Sequence, residues 1–318
     1  MTEPLSLVAD IGGTNTRVAL ARGPAIVTDT VHRFRNAEYP DLETVLRHYV
    51  DAAAQGPLAA ACVAVAGPVR NEVGKLTNLD WQIDTGTLAR ATGAERVAIL
   101  NDLQAQGHAL EHLAPETFHR LLPGRPEGAG SARLVIGVGT GFNAAAVFPV
   151  PSGFLVTAAE AGHAALPVEN EEDLALARFA RGADDFAAVE DVLSGRGLAR
   201  LHSWVTREAG DPQQATGAEV MEMLERGDSP AAEETVRLFS RHLGIVAGNL
   251  ALTFLPFGGI YLCGGVARAV APHLSRMGFD RAFHGKGRFS EMMGGFPVSE
   301  IGDDYAALTG CAAFLSRA

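Results

Sequence analysis

The chain has 318 residues, a formal net charge of −11 and 47% hydrophobic residues, which favours two globular domains and disfavours disorder. The acidic balance disfavours nucleic-acid binding, and the sequence lacks the run of about 18 apolar residues that spans a membrane. There are 36 glycines against roughly 22 at average usage. The surplus predicts tight turns or sites where a ligand approaches the backbone closely.

The N-terminal sequence and the cysteines indicate the cellular compartment. The opening segment, MTEPLSLVAD, lacks the basic region and long apolar stretch of a signal peptide. Cys62, Cys263 and Cys311 are far apart and odd in number, which is typical of a reducing compartment and not of a disulfide framework or a Cys-rich zinc site. We therefore expect a cytoplasmic protein.

The first third of the chain predicts alternating strands and helices. Apolar runs and turn residues predict strands at 5–10, 18–21, 25–31, 60–66 and 97–100. Apolar spacing near 3.6 predicts helices at 41–54, 85–92 and 103–113.

The pattern then restarts. After a loop rich in Gly and Pro, strands are predicted at 133–136, 144–150 and 154–157. The unit of strand, glycine turn and two strands that begins at Leu7 thus recurs at Leu134, which we interpret as an internal duplication; independent origin of the two turns is the alternative. The remaining predicted elements are helices at 171–181, 190–208, 217–226, 230–255 and from 265, a strand at 259–263, and a final helix at 304–316. We expect this last helix to pack onto the N-terminal domain.

The glycine turns do not match the two standard phosphate loops. Neither Lys75 nor Lys286 is followed by the Ser or Thr of a P-loop. The glycines of GVGTGFN precede a predicted strand, whereas the dinucleotide fingerprint opens a helix.

A tight turn between two strands can still bind phosphate through successive N–H groups and Thr hydroxyls. Two turns have this character: Gly12, Gly13, Thr14 and Asn15 in the first, and Gly139, Thr140 and Gly141 in the second.

Two further features could belong to a nucleotide site. Asp10, at the end of the first strand, could hold Mg²⁺ through water, or could cap the turn. Gly264 and Gly265, between a strand and a helix, suit a flat purine or its ribose, or form a plain turn.

Six segments carry a resemblance to a known family; in chain order they are LVADIGGTNTRVALA, ILNDLQAQG, VIGVGTGFNAA, AEAGHAALP, VEDVLSGRGL and GGIYLCGGVA. The set resembles the bacterial glucokinases of the non-ROK type, in the superfamily of hexokinase, actin and the heat-shock chaperone ATPases, from Leu7 to about Phe314. The resemblance implies duplicated ribonuclease H-like (actin-like ATPase) α/β domains with a cleft between them. We expect a small domain at 1–108 plus 304–318 and a large one at 109–303 with helical insertions.

The resemblance also implies ATP- and Mg²⁺-dependent phosphorylation of D-glucose at its 6-hydroxyl. It implies that Asp102 is the catalytic base and binds the sugar, and that the two glycine turns and Asp10 contact phosphates and metal. Gly264 and Gly265 would border the adenosine. The other sugar-binding residues that it implies are Asn101, Glu160, His163 and Glu190.

Several interpretations stay open beside this one. Asp102 could instead cap the helix that follows it, since Asp and Asn are favoured N-caps. Asn78 could contact the sugar from a turn near the cleft. The acidic run 171–173 is interpreted as a solvated face. Ala161 stands where the family has the first glycine of Glu-Gly-Gly-His, which bears on the geometry of this loop. The segment directly after His163, AALPVENEEDLA, contains no cysteine, unlike the zinc-binding ROK kinases, so zinc is not expected.

Two alternative functions remain. The first is the same chemistry on another hexose. The second is a non-catalytic sugar sensor on the same fold; such regulators carry a DNA-binding module before the core, whereas here the first strand begins by Leu5. We expect glucose and ATP as small-molecule partners, no nucleic-acid or membrane partner, and a homodimer, the common state of soluble enzymes.

Overall fold

The protein is an α/β structure. The computed structural model describes residues 3–53, 56–76, 81–125, 130–151, 153–182 and 185–317. Its strands in chain order are β1 (Leu5–Ile11), β2 (Asn15–Arg22), β3 (Ala25–Ile26), β4 (His32–Arg35), β5 (Ala60–Val65), β6 (Val69–Arg70), β7 (Val73–Lys75), β8 (Gln82–Asp84), β9 (Arg96–Asn101), β10 (Phe118–Leu122), β11 (Arg133–Val138), β12 (Phe142–Val150), β13 (Gly153–Val156), β14 (Ile260–Cys263) and β15 (Val298–Ile301). Its α-helices are α1 (Leu42–Ala53), α2 (Thr85–Thr92), α3 (Asp102–Ala109), α4 (Glu171–Ala180), α5 (Gly195–Glu208), α6 (Gly217–Arg226), α7 (Pro230–Phe254), α8 (Gly265–Val270), α9 (Phe279–His284), α10 (Ser290–Met293) and α11 (Ala306–Arg317).

The chain divides into two compact units. Unit 1 comprises Met1–Pro115, Val150–Ala158 and Asp303–Ala318, and unit 2 comprises Glu116–Pro149 and Ala159–Gly302. Residues 109–115, Val150–Ala158 and Asp303, which the sequence interpretation assigned to the large domain, group with unit 1.

Unit 1 is built on a sheet with the strand order β3-β2-β1-β5-β9, in which β4 also pairs with β2. Strands β1 and β2 form an antiparallel hairpin, and β5 and β9 continue the sheet parallel to β1. All six residues of β5 are buried, as expected for a parallel strand covered on both faces. A smaller antiparallel sheet, β6-β7-β8, belongs to the same unit.

Helices cover both faces of this sheet. Leu7 on β1 packs in one core with residues of α1 and α2, while the neighbouring Val8 packs in a second core with Leu308 and Cys311 of α11. The predicted packing of the final helix onto the N-terminal sheet is therefore confirmed. Helix α11 also crosses α3 so closely that a Cβ on Gly310 would overlap the carbonyl of Ala105, so a glycine is required there.

Unit 2 repeats the central part of this arrangement. Its strands follow the order β10-β15-β14-β11-β12, with β11 and β12 as an antiparallel hairpin and β14 and β15 parallel to β11. A hairpin followed by two parallel strands thus occurs in both units, which supports the internal duplication. Helices α4 to α7, together with α8 and α9, supply most of a large apolar core around this sheet.

Several predicted boundaries differ from the structure, two of them for clear local reasons. The strand predicted at 25–31 is confined to Ala25–Ile26, because the chain turns into a 3-10 helix at Thr28–Thr30, where the Thr30 hydroxyl donates to the carbonyl of Val27. The helix predicted from residue 190 begins only at Gly195, because Ser194 is its N-cap and accepts a hydrogen bond from the Gly197 N–H.

The interpretation of 171–173 as a solvated face is wrong for Asp173. Its side chain is fully buried and binds Arg241 of α7 through two hydrogen bonds of 2.5 and 2.9 Å. Burial alone would raise the pKa of Asp173, but contacts with His242 and Arg241 lower it well below its ordinary value. Sequence-based interpretation missed this pairing because Arg241 lies far along the chain.

Within the described residues, no helix is long and apolar enough to cross a membrane.

Candidate functional site

The first glycine turn joins β1 to β2 in unit 1. The turn is closed by a hydrogen bond of 3.0 Å from the N–H of Gly12 to the carbonyl of Asn15. Among the described residues, the N–H groups of Gly13 and Thr14 have no protein acceptor. Two free donors in a tight turn have the character of an anion-binding nest.

Asn36, which sequence analysis missed, holds this turn in shape. Its amide nitrogen donates to the carbonyl of Gly12 (2.8 Å), and its backbone N–H donates to the carbonyl of Thr14 (3.0 Å). The Thr16 hydroxyl donates to its amide oxygen (2.8 Å). Asn36 is buried, so these bonds are shielded from water. The only sequence signal is a polar residue just after β4, which is too common to be diagnostic.

Asp10 lies immediately before the turn and faces a positive charge. Nη1 of Arg17 is 3.5 Å from its Oδ2. Desolvation raises the pKa of the Asp10 carboxyl above its ordinary value, and the charge and hydrogen bond of Arg17 oppose that rise. In a desolvated carboxyl group, a nearby cation stabilises the ionised form relative to the protonated form.

Asn101 and Asp102 lie at the same edge of the sheet as this turn. Ile11, Val65 and Asn101 are aligned across the parallel strands β1, β5 and β9. Adjacent strands are about 4.8 Å apart, so the end of β1 and Asn101 are separated by about 10 Å. Unit 1 therefore brings the first turn and the predicted base to one edge, where the carboxyl ends of parallel strands typically bind ligands.

The structure distinguishes the roles of Asn101 and Asp102. Asn101 is the N-cap of α3: its side-chain oxygen accepts from Leu103 N–H (3.0 Å), and its amide nitrogen donates to the carbonyl of Gly67 (3.0 Å). One lone pair and one N–H of the Asn101 amide remain for a ligand. Asp102 is the first residue of the helix and is half-buried. Its Oδ1 also accepts from the Leu103 N–H (2.9 Å), but Asn101 occupies the N-cap position, so the alternative that Asp102 is the N-cap is wrong.

The second glycine turn, in unit 2, lies beside the Gly264 turn. The N–H of Gly139 donates to the carbonyl of Gly141 (2.9 Å). Strands β11 and β14 are adjacent and parallel, with Gly137 opposite Cys263, so their turns meet at one edge. Gly264 has φ +100°, and a Cβ there would lie 2.5 Å from the carbonyl oxygen of Val138. A Cβ on Gly265 would meet no atom within 4 Å, which leaves open space at the start of α8.

Two helices begin beside the second turn. The N–H of Gly195, the first residue of α5, donates to the carbonyl of Gly139 (2.8 Å). A Cβ on Gly217, the first residue of α6, would lie 2.8 Å from the carbonyl oxygen of Gly195. Helix N-termini carry partial positive charge, so both add to the field that attracts an anion at this turn. Gly217 was missed because a glycine before an amphipathic helix is an ordinary feature.

Glu190 connects the second turn to the predicted sugar-binding residues. It lies in a 3-10 helix, Val189–Asp191. Its Oε2 accepts from the N–H of Phe142 (2.9 Å) and its Oε1 from Nη2 of Arg196 (3.0 Å). A Cβ on Gly141 would overlap Oε2 and lie 3.1 Å from Cδ of Glu190. The absence of a side chain at Gly141 is therefore what lets this carboxylate lie against the turn.

Glu160 immediately precedes a second 3-10 helix, Ala161–His163, and His163 is its last residue. A Cβ on Gly162 would overlap the carbonyl of Phe142, so this glycine of the family pattern is required. At Ala161 the backbone is outside the left-handed region, and its N–H donates to Oδ1 of Asn143 (3.0 Å). The departure from the family pattern at residue 161 is thus accommodated without strain.

The carboxylates of this region affect each other. Glu160 is exposed, yet partial desolvation raises the pKa of its carboxyl; the charge of His163 opposes the rise and that of Glu190 adds to it. The three predicted sugar-binding residues of unit 2 are therefore close enough to interact electrostatically. Asn78, the remaining predicted sugar contact, lies outside the described residues.

Comparison with known proteins identifies the family. The glucokinase family model matches residues 7–318. The chain belongs to the glucokinase family. The family's glucokinase from Chromobacterium violaceum is 33% identical over 98% of this chain and 89% of its own. The Sinorhizobium fredii glucokinase is also 33% identical, over 97% of this chain and 91% of its own.

Solved structures agree with this family. A glucokinase from an Antarctic psychrotroph, 29% identical, matches 99% of both chains with a TM-score of 0.86. A ROK-family glucokinase from Streptomyces griseus, solved with glucose and AMPPNP, is 20% identical and matches with a TM-score of 0.68 over 98% of this chain and 99% of its own. The predicted actin-like ATPase fold is confirmed.

Proposed function

We propose that this chain is a glucokinase that transfers the γ-phosphoryl group of ATP to the 6-hydroxyl of D-glucose. The family match over residues 7–318 supports the reaction. The structural observation that carries the proposal is the contact of Glu190 with the Gly139–Gly141 turn. Through it, a sugar-binding carboxylate and a phosphate-binding turn lie side by side in one unit.

Asp102 is the proposed general base. Phosphoryl transfer depends on positioning and charge neutralisation, and the acceptor proton can leave late. A carboxylate of ordinary basicity can therefore align the hydroxyl and accept its proton. Asp102 is at the junction of β9 and α3, where the capped helix start fixes its backbone. Rigid elements hold a reacting group more precisely than loops do.

Glu160, His163 and Glu190 are the proposed sugar ligands, with Asn101 as a fourth. Carboxylates accept hydrogen bonds from vicinal hydroxyls, and an imidazole can donate or accept. Glu190 already accepts one hydrogen bond at each oxygen, and each oxygen has a second lone pair for a hydroxyl. The anchoring from Phe142 and Arg196 therefore orients the carboxylate without using up its capacity.

The glycine turns are the proposed phosphate-binding elements. The free N–H groups of Gly13 and Thr14 suit phosphate oxygens, with Asn15 completing the first turn. The starts of α5 and α6 give the second turn, with Thr140 at its tip, a favourable field. The open space at Gly265 and the close approach of Gly264 suit the adenosine.

Asp10 is the proposed metal-facing residue. Among the described residues no cluster of three or more His, Cys, Asp or Glu side chains could hold a metal ion. A single desolvated carboxylate fits Mg²⁺, which binds through one or two carboxylates, water and substrate phosphates. When bound, Mg²⁺ would neutralise the developing charge on the phosphates. The task of Asp10 would be to offer a carboxylate whose ionised form Arg17 favours, against the desolvation that raises its pKa.

An assay of the Asp102→Asn variant tests the proposal. The wild type should form glucose 6-phosphate from glucose and Mg-ATP. Asp102→Asn should lose roughly 10²- to 10⁴-fold in kcat while still binding glucose. The matched control is Asp84→Asn: Asp84 caps α2 in the same unit by accepting from Thr87 N–H, and Asn caps equally well, so its turnover should be unchanged.

Three results would contradict this assignment. A folded wild type that turns over no hexose but binds sugar tightly would instead be a sensor. A higher kcat/KM for another hexose in a sugar panel would identify that hexose as the preferred substrate. A panel of phosphoryl donors that includes polyphosphate tests whether ATP is the donor. Near-normal turnover of Asp102→Asn would remove the base. Light scattering tests the homodimer that we also propose.

A further inference from the structure

Two arginines on one face of α5 bind the segment that carries Glu190. Nη2 of Arg196 is 3.0 Å from Oε1 of Glu190. Nη1 of Arg200 donates to both the carbonyl (2.8 Å) and Oδ1 (2.6 Å) of Asp191. Residues four apart on a helix lie on the same face. Adjacent carboxylates of the 3-10 helix are thus bound by successive turns of α5.

Among the described residues, the other hydrogen bonds of this segment are with main-chain groups or a hydroxyl. Oδ2 of Asp191 accepts from Ala188 N–H (2.9 Å), and the Glu190 carbonyl accepts from the Ser194 hydroxyl (2.8 Å). These bonds fix the backbone. In the described part of the chain, two groups hold the Glu190 side chain: the Phe142 N–H donates to one oxygen and Arg196 to the other.

We propose that Arg196 and Arg200 are positioning residues for Glu190, an inference that rests on the proposed function. Arg196 fixes the plane of the Glu190 carboxylate by holding the oxygen that Phe142 does not. Arg200 fixes the backbone from which that side chain extends. Neither arginine needs to touch the reacting atoms, so their effect falls on glucose affinity and not on the chemical step.

The positive charge of Arg196 should strengthen glucose binding in a second way. The charge of Glu190 raises the pKa of Glu160, so the two acids repel each other in their ionised forms. The guanidinium of Arg196 compensates part of that repulsion. Its side chain is 62% exposed, so salt screens the pair and the effect is modest. Arg200 is less exposed and donates two hydrogen bonds, so its removal costs more.

Substitution by methionine keeps bulk and removes charge. With glucose affinity measured by calorimetry at low salt, Arg196→Met should raise Kd about two- to fivefold and Arg200→Met roughly tenfold. The kcat of each variant should stay within about twofold of the wild type, because an interaction equal in ground and transition states changes binding and not turnover. Arg196→Lys, which retains the charge, should recover part of the lost affinity.

A double-mutant cycle separates positioning from a general structural effect. In a Glu190→Ala background, Arg196→Met should cause no further loss of affinity, because its partner is gone. Glu190→Gln replaces Glu190→Ala if that variant does not fold. Added salt should weaken glucose binding by the wild type and leave Arg196→Met unchanged.

The matched control is Arg207→Met, which removes an exposed arginine from the last turn of the same helix, where it lies over the Phe179 ring. Its glucose affinity should equal that of the wild type. The inference is refuted if Arg196→Met retains wild-type Kd, if its effect multiplies with Glu190→Ala, or if kcat falls instead. A wild type that neither binds nor phosphorylates glucose refutes the proposed function as well, and the wild-type measurement alone reveals that case.

Discussion

Two glycines of the second turn, Gly139 and Gly141, should respond differently to the same added methyl group. Neither has a positive φ, so alanine suits the backbone at both. At Gly141 the new Cβ would overlap Oε2 of Glu190, whereas at Gly139 it would meet no atom within 4 Å. The pair is therefore a matched test of whether Glu190 binds the sugar and the turn binds phosphate.

The size of the Gly141→Ala effect follows from the contacts of Glu190. Oε2 must move by about 1 Å to reach an ordinary van der Waals separation, which breaks its 2.9 Å hydrogen bond from Phe142 N–H. A hydrogen bond to a charged group contributes about 1.5–3 kcal/mol. Glycine-to-alanine replacement returns about 0.4–1 kcal/mol through the unfolded chain. We expect a net destabilisation of about 1–2 kcal/mol and, with the carboxylate displaced, roughly tenfold weaker glucose binding.

Gly139→Ala should stabilise the protein by about 0.4–1 kcal/mol through the unfolded chain, since the new methyl group meets no atom within 4 Å. It should also raise the KM for ATP, because we propose that phosphate oxygens approach this turn. Steady-state kinetics with each substrate varied gives the KM for glucose and for ATP of each variant, and urea unfolding gives its free energy of unfolding. The reasoning is refuted if Gly141→Ala keeps a wild-type KM for glucose, or if Gly139→Ala shows the same glucose defect.

Two further predictions concern stability. Burial, with a smaller contribution from the charge of Arg317, lowers the pKa of His108 to about 4. The stabilisation of the fold by the neutral imidazole is therefore fully present above pH 6.5 and is lost as pH falls towards 4. Between pH 7.5 and 4.5 the wild type should lose up to about 3 kcal/mol more free energy of unfolding than His108→Leu does, and equal losses in urea unfolding would contradict this. Arg241→Met removes both guanidinium hydrogen bonds from the buried Asp173 and leaves its contacts with His242 (3.3 Å) and the Glu169 N–H. It should lower the free energy of unfolding by up to about 3–5 kcal/mol; a loss under 1 kcal/mol would count against this, and Asp173→Asn/Arg241→Met should recover part of the stability.

Local sequence located the turns and most of the elements that carry the site. Short apolar runs that end in glycine turns predicted β1 and β11, and Asp10 and Asn101 were correctly placed at strand ends. Such features depend on a few neighbouring residues, so they can be recognised without knowing the fold. The repeat of strand, turn and strand from Leu7 to Leu134 indicated the duplication for the same reason.

Local sequence was less informative about features that depend on burial or on partners distant along the chain. The charge of Asp173 predicted exposure, but Arg241 of α7 buries and pairs it. The strand β15 (Val298–Ile301) was missed because two of its four residues, Ser299 and Glu300, are polar. Both are buried, and His119 contacts Glu300 at 2.7 Å. The start of α5 was misplaced by five residues because the Ser194 cap is a stronger stop than the apolar period indicated.

The sequence by itself thus determined the family, the strand-end turns and the residue types of the site. Tertiary structure decided which of them meet. Sheet register brings the Gly12 turn and Asn101 to one edge, and the missing side chain of Gly141 lets Glu190 lie against the second turn. Asn36 clamps the first turn from beyond β4. These arrangements depend on contacts between residues distant along the chain, and a hydrogen bond across such a distance forms only once the sheet and helices have set its geometry.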